Sequence, residues 1–218
     1  MSLLPVLLPS SPIALAYGRV GSVRDLSPAV CATESYRSIP VMMREDPRHA
    51  VRVIAGWLST REAIWWGAIC QSQLMSLGEA MPEPGTLAMI IRWVQNPLEE
   101  TRIPLAELAE KPESNSLGYL VSAVVLTADS LSPLVKSPVP TPMGLAHRMV
   151  GLSILAAADQ WPLEGRAGCL GHFLELGVDI SENLYPWDKD NPQKHPGLRT
   201  DPEAGKKRKR LGNIWENW

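Results

Sequence analysis

Residues 46–66, DPRHAVRVIAGWLSTREAIWW, hold two helical patterns with no room for a loop between them. Asp46 followed by Pro47 reads as an N-cap with proline in the first helical position, where no backbone N–H is needed. Ala50, Val53, Ile54, Trp57 and Leu58 then share one face of a helix of about 12 residues. Ser59 to Glu62 match a capping box: the Ser59 hydroxyl accepts from the Glu62 N–H while the Glu62 carboxylate reaches back to the Ser59 N–H. A second helix therefore starts where the first ends. Helices joined so tightly pack as a hairpin or a corner.

The second helix opens with adjacent indoles, Trp65 and Trp66. Helical neighbours point about 100° apart, so the two cannot share a face. Trp66 aligns with Ala63, Cys70 and Leu74, and Trp65 with Ala68 and Ile69. An apolar arc this wide predicts burial on more than one side, at the centre of a bundle, with a hydrogen-bond partner for each indole N–H. Ser59 and Glu62 are accounted for by the cap, and Arg61 is placed to stack on an indole.

Proline punctuates the rest of the chain. Ser27-Pro28, Asn96-Pro97, Ser132-Pro133 and Thr141-Pro142 repeat the cap-then-proline signal. The sequence predicts a helix over PGTLAMIIRWVQ and another from NPLEETR, capped by Asn96 with Glu99 completing the box and Pro104 kinking or dividing it. Residues 114–130 fit either a buried helix or a strand; ten apolar positions without alternation favour helix. A proline-rich connector over 131–142 leads to a long apolar helix capped by Thr141, and the last helix, from about Pro162, is expected to stop at Gly177. Residues 1–45 carry two proline-rich runs, and their packing is left open.

Hydrophobic residues make up 45% of the 218, enough for a sizeable core. The net charge of −2 is unevenly spread: residues 188–218 hold eight Lys/Arg against five Asp/Glu, a local +3 that leaves −5 for residues 1–187. This polar, Pro/Gly-punctuated stretch reads as a flexible tail. Cys31, Cys70 and Cys169 are odd in number and far apart, which fits a reducing cytoplasm. The apolar start is broken by Pro5, Pro9 and Pro12, and no run suits a membrane span.

No sequence motif with an attached mechanism is present, and no catalytic residue, metal ligand or cofactor is assigned. Cys169 and His172, one helical turn apart, are the nearest approach to a nucleophile and base, but flanking Gly168 and Gly171 and the lack of an orienting acid weigh against them. His147 also lies on an apolar helix and reads as a core histidine. In the tail, Lys206, Lys207, Arg208, Lys209 and Arg210 form one basic run, too isolated in an acidic chain to argue for nucleic acid. Beside it Leu211, Ile214, Trp215 and Trp218 recur at the spacing of amphipathic-helix anchors. They are candidates to bind a protein partner, or to fold back on the domain or on a second copy.

Four stretches within residues 47–187 resemble one uncharacterised family of helical bacterial proteins: AVRVIAGWLSTREAIWWGAICQ, RWVQNPLEETR, SLSP through VPTPMGLAHRMVGLSILAA, and FLELGVDISENLYPW. That family often reads Leu-Pro-x-Arg-Glu-Ala-Val-Trp-Trp-Ala; here Ser59 replaces the proline and Gly67 the last alanine. The resemblance implies association with type VI secretion gene clusters. It supplies no catalytic residue.

The resulting expectation is an all-α protein: a compact domain of about seven to nine helices arranged as helical hairpins over residues 1–187, and a flexible charged tail over 188–218. Its expected role is a cytoplasmic, non-enzymatic adaptor or chaperone of a type VI secretion system that binds an effector or spike protein. The alternatives are an immunity protein neutralising a cognate toxin and an enzyme of unrecognised type; the oligomeric state is left open.

Overall fold

A computed structural model describes residues 12–21, 38–76, 84–110, 115–131, 139–182, 184, 185 and 187. The tail residues singled out above, Lys206–Arg210, Leu211, Ile214, Trp215 and Trp218, lie outside them. Among the described residues there are nine α-helices and no strand; one isolated antiparallel bridge joins Ser130 to Pro140. The helices are α1 (Pro12–Val20), α2 (Ser38–Glu45), α3 (Pro47–Trp57), α4 (Thr60–Ser76), α5 (Pro84–Gln95), α6 (Glu99–Ala109), α7 (Ser116–Val125), α8 (Leu145–Gln160) and α9 (Arg166–Ser181). The all-α expectation holds.

The corner at Ser59 is built as its sequence predicts. Asp46 accepts from the His49 N–H at 3.0 Å and starts α3. Ser59 N donates to Glu62 Oε2 at 2.9 Å, and Glu62 N lies 3.4 Å from Ser59 Oγ. From this corner α3 and α4 diverge, and both pack on α8. Helix α4 also packs on α5, α7 and α9, so it is wrapped nearly all round, and Glu62 through Met75 are buried without a break.

Trp65 and Trp66 fill different sides of α4, at 1% and 0% exposure. Each indole N–H has found a carbonyl: Trp65 Nε1 donates to Tyr185 O at 2.7 Å and Trp66 Nε1 to Phe173 O at 2.8 Å. Gly177 makes the second contact possible, since a Cβ there would lie 2.7 Å from Trp66 Cε2 and 2.9 Å from Ile54 Cγ2. This corrects the expected stop at Gly177: α9 runs on to Ser181, and the glycine is needed for its missing side chain. A buried polar cluster closes the other side of α4, where Gln71 Nε2 donates to Ser153 Oγ at 3.1 Å and Ser153 Oγ to Ser116 O at 2.6 Å.

Other helix starts differ from expectation for local reasons. Thr141 does not cap α8, because its hydroxyl donates to Ala128 O at 2.6 Å; α8 starts at Leu145 behind Gly144, whose φ of 79° suits glycine. Asn96 does not cap α6 either. That helix begins at Glu99 behind Leu98, Glu99 pairs with Arg102, and Pro104 sits in the second turn without dividing it. Residues 116–125 are helical and are capped by Asn115, which accepts from the Gly118 N–H at 2.7 Å. Among the described residues of the first 45 there are two helices; α1 buries Ala16 and Tyr17 against α3, and α2 buries Ile39 and Met42.

Emptying the Trp66 site is expected to be costly. Trp66→Ala should lose about 3–5 kcal/mol in urea unfolding, the range for a large buried aromatic. Gly177→Ala is the sharper test, because helix propensity alone favours alanine by about 1 kcal/mol. The clash with a ring held by its own hydrogen bond should reverse that preference, for a net loss of about 1–3 kcal/mol. An unchanged or raised midpoint would show that the ring has room to move.

Candidate functional site

The polar residues nearest the Trp pair are used in construction. Arg61 donates through Nε to Val94 O and through Nη2 to Gln95 O at 2.7 Å, which supplies the carbonyls at the end of α5 with a cation. Its guanidinium also lies 4.7 Å above the ring of Trp187, which meets Trp65 edge-on. The indole that Arg61 faces here is that of Trp187.

The candidate nucleophile and base do not form a pair. Cys169 is 3% exposed, and burial pushes its thiol up to about 12, far from the thiolate that nucleophilic attack requires. Cys70 is buried beside it and is likewise held protonated, first by burial and then by the neighbouring Cys169. His172 Nε2 is 2.7 Å from Gln73 Oε1. His147 is buried, and desolvation followed by the nearby Arg19 guanidinium lowers it to about 4. Among the described residues no three His, Cys, Asp or Glu side chains converge to hold a metal ion, and no helix is long and apolar enough to cross a membrane.

The described surface does contain one open groove of about 410 Å³, between α2, α3, α8 and α9. Met43, Leu155, Ala158 and Leu170 give it an apolar floor. Its rim is polar: Arg48 Nη2 donates to Asp159 Oδ1 at 2.8 Å, both side chains are 59% exposed, and Arg166 stands opposite on α9. Arg166 Nε also donates to Trp161 O, so it is fixed at the end of α8. Gly171 lies on the wall, and a Cβ there would meet nothing within 4 Å. Local structure makes this groove: Asp46 and Pro47 turn the chain sharply between α2 and α3, and the glycines of α9 leave its outer face without side chains. The sequence assigned none of these residues to a site, because no single element carries more than a few of them.

The chain belongs to the family of unknown function DUF6931, whose model matches residues 41–181. The matched span runs from within α2 to the last residue of α9, and so contains the capping box, the Trp pair and every residue of the groove. No curated protein and no solved structure matches the chain.

The lowered His147 predicts acid sensitivity. The unfolded chain takes up a proton near pH 6.5, the folded one only near 4, so in that window the unfolded state holds more protons and stability falls as pH falls. The difference corresponds to about 3 kcal/mol, fully lost once the pH is below 4. His49, also lowered mainly by burial, adds in the same direction. Chemical unfolding between pH 4 and 7.5 should show this slope and His147→Gln should flatten most of it; a wild-type profile flat below pH 6.5 would contradict the assignment.

Proposed function

We propose that the protein is a non-enzymatic adaptor or chaperone of a bacterial type VI secretion system, and that it binds an effector or spike protein through the groove between α2, α3, α8 and α9. The observation that carries this reading is the make-up of the groove. An apolar floor with methionine, framed by arginine and aspartate, is the composition found at the centre and rim of protein interfaces. Arg48 and Arg166 offer planar donor forks that suit carboxylates of a partner segment. The secretion assignment rests on the resemblance of residues 47–187 and on no residue of the groove. The burial of Cys70, Cys169 and His147 supports a binding role over turnover.

Two substitutions test the groove without disturbing the core. Gly171→Trp fills it from a position where a side chain meets no neighbour. Arg48→Glu reverses its rim at the cost of one exposed ion pair, worth about 0–1 kcal/mol. Tagged wild-type chain should retain a secretion effector or spike protein from its native cells, identified by mass spectrometry, and either variant should weaken that complex by more than about tenfold, 1.4 kcal/mol. Retention unchanged in both variants would remove the groove from the reading. If instead the chain rescues cells from a neighbouring toxin gene, it is an immunity protein.

A further inference from the structure

Helix α6 turns only Leu105 fully inward. On its outer side Glu100, Ile103, Glu107 and Glu110 succeed one another at steps of three and four, and all are exposed. Pro104 and Leu108 widen the apolar strip on its flank, and Ile103 and Leu108 keep 47% and 41% of their surface open. Glu99 is paired with Arg102, whereas Glu100, Glu107 and Glu110 have no salt-bridge partner among the described residues. Apolar side chains in line with carboxylates unpaired among the described residues call for a basic, amphipathic occupant.

We propose that this face docks the chain's own segment Lys206–Trp218. The charges are complementary, because five consecutive cations, Lys206 to Arg210, meet a face whose charges left unpaired among the described residues are carboxylates. The apolar spacing matches as well: Leu211, Ile214, Trp215 and Trp218 recur at three, four and seven, which sets them along one stripe able to cover Ile103 and Leu108. The third argument is position. Trp187, the last described residue, lies under the Arg61 guanidinium, and Arg61 donates to Val94 and Gln95, four residues before α6 begins. The last described residue therefore lies beside the end of α5, close to the start of α6. Residues 188–205 span at most about 60 Å when fully extended, and eleven helical residues are only about 16 Å long, so the segment reaches every part of the face. Tethering at that distance acts as a local concentration on the order of millimolar. The α6 face is separate from the groove, so this inference stands or falls apart from the secretion reading.

Carbodiimide cross-linking of the full chain at low salt, followed by peptide mass spectrometry, tests the assignment. The expected links join Glu100, Glu107 or Glu110 to Lys206, Lys207 or Lys209, and in a mixture of isotope-labelled and unlabelled chains they join residues of one chain. Glu100→Lys with Glu107→Lys, both on exposed positions, should abolish these links; adding Lys206→Glu, Lys207→Glu and Lys209→Glu to that variant should restore them with the charges exchanged. Three outcomes overturn the proposal: no link between α6 and the segment in the wild type, links that join only labelled to unlabelled chains and so place the segment on a second copy, or links from the segment to Asp159 at the groove.

Discussion

Three helices meet at a residue with no side chain. The Trp66 indole lies along one turn of α9, from its hydrogen bond with Phe173 O to the backbone of Gly177, and Ile54 of α3 approaches the same glycine. Because Trp66 belongs to α4, this contact sets the spacing of α3, α4 and α9 together. The Ser59 corner is what makes it reachable: a longer connection would let α4 rotate, whereas a capping box with no intervening loop fixes which side of α4 faces α9. The large ring and the missing Cβ are a matched pair, and changes of volume at either are felt at all three helices.

A second regularity concerns how the helices end. The last carbonyls of a helix lack intrahelical donors, and glycine in the left-handed region is the usual remedy. Here Gly21 provides it after α1, and elsewhere arginines do much of the work. Arg148 donates to Arg19 O in the last turn of α1, and Arg19 in turn donates to Gly56 O and Leu58 O at the end of α3. Arg61 serves α5, Arg102 reaches Val125 O at the end of α7, and Arg166 serves the end of α8. Most of these bonds join elements distant in sequence, so satisfying a terminus also positions a neighbour. The cation complements the negative end of the helix dipole as well.

The features legible in the sequence are those whose signal is local. The Ser59–Glu62 box, the burial of both indoles and the helices on either side of the corner depend on spacing within one turn or two, and spacing is visible. What the sequence misleads about depends on contacts made across the fold. Gly177 looks like a helix stop because a sequence cannot distinguish glycine needed for positive φ from glycine needed for close approach. Thr141 looks like a cap, but its hydroxyl is taken by Ala128 O from the preceding segment. The groove is invisible for the same reason: Met43, Arg48, Asp159 and Arg166 come from four helices, and their convergence is a property of packing.

The groove and the α6 face differ in sign, and this separates what can occupy them. The groove places arginines on both sides of an apolar floor, with Asp159 already engaged by Arg48, so it favours an acidic or neutral partner segment and repels a polycation. The α6 face has the opposite character, with three carboxylates, unpaired among the described residues, in line with exposed Ile103. By charge, the docking proposed for Lys206–Arg210 suits the second surface better than the first. A segment seated on α6 would therefore leave the groove open to the partner proposed for it.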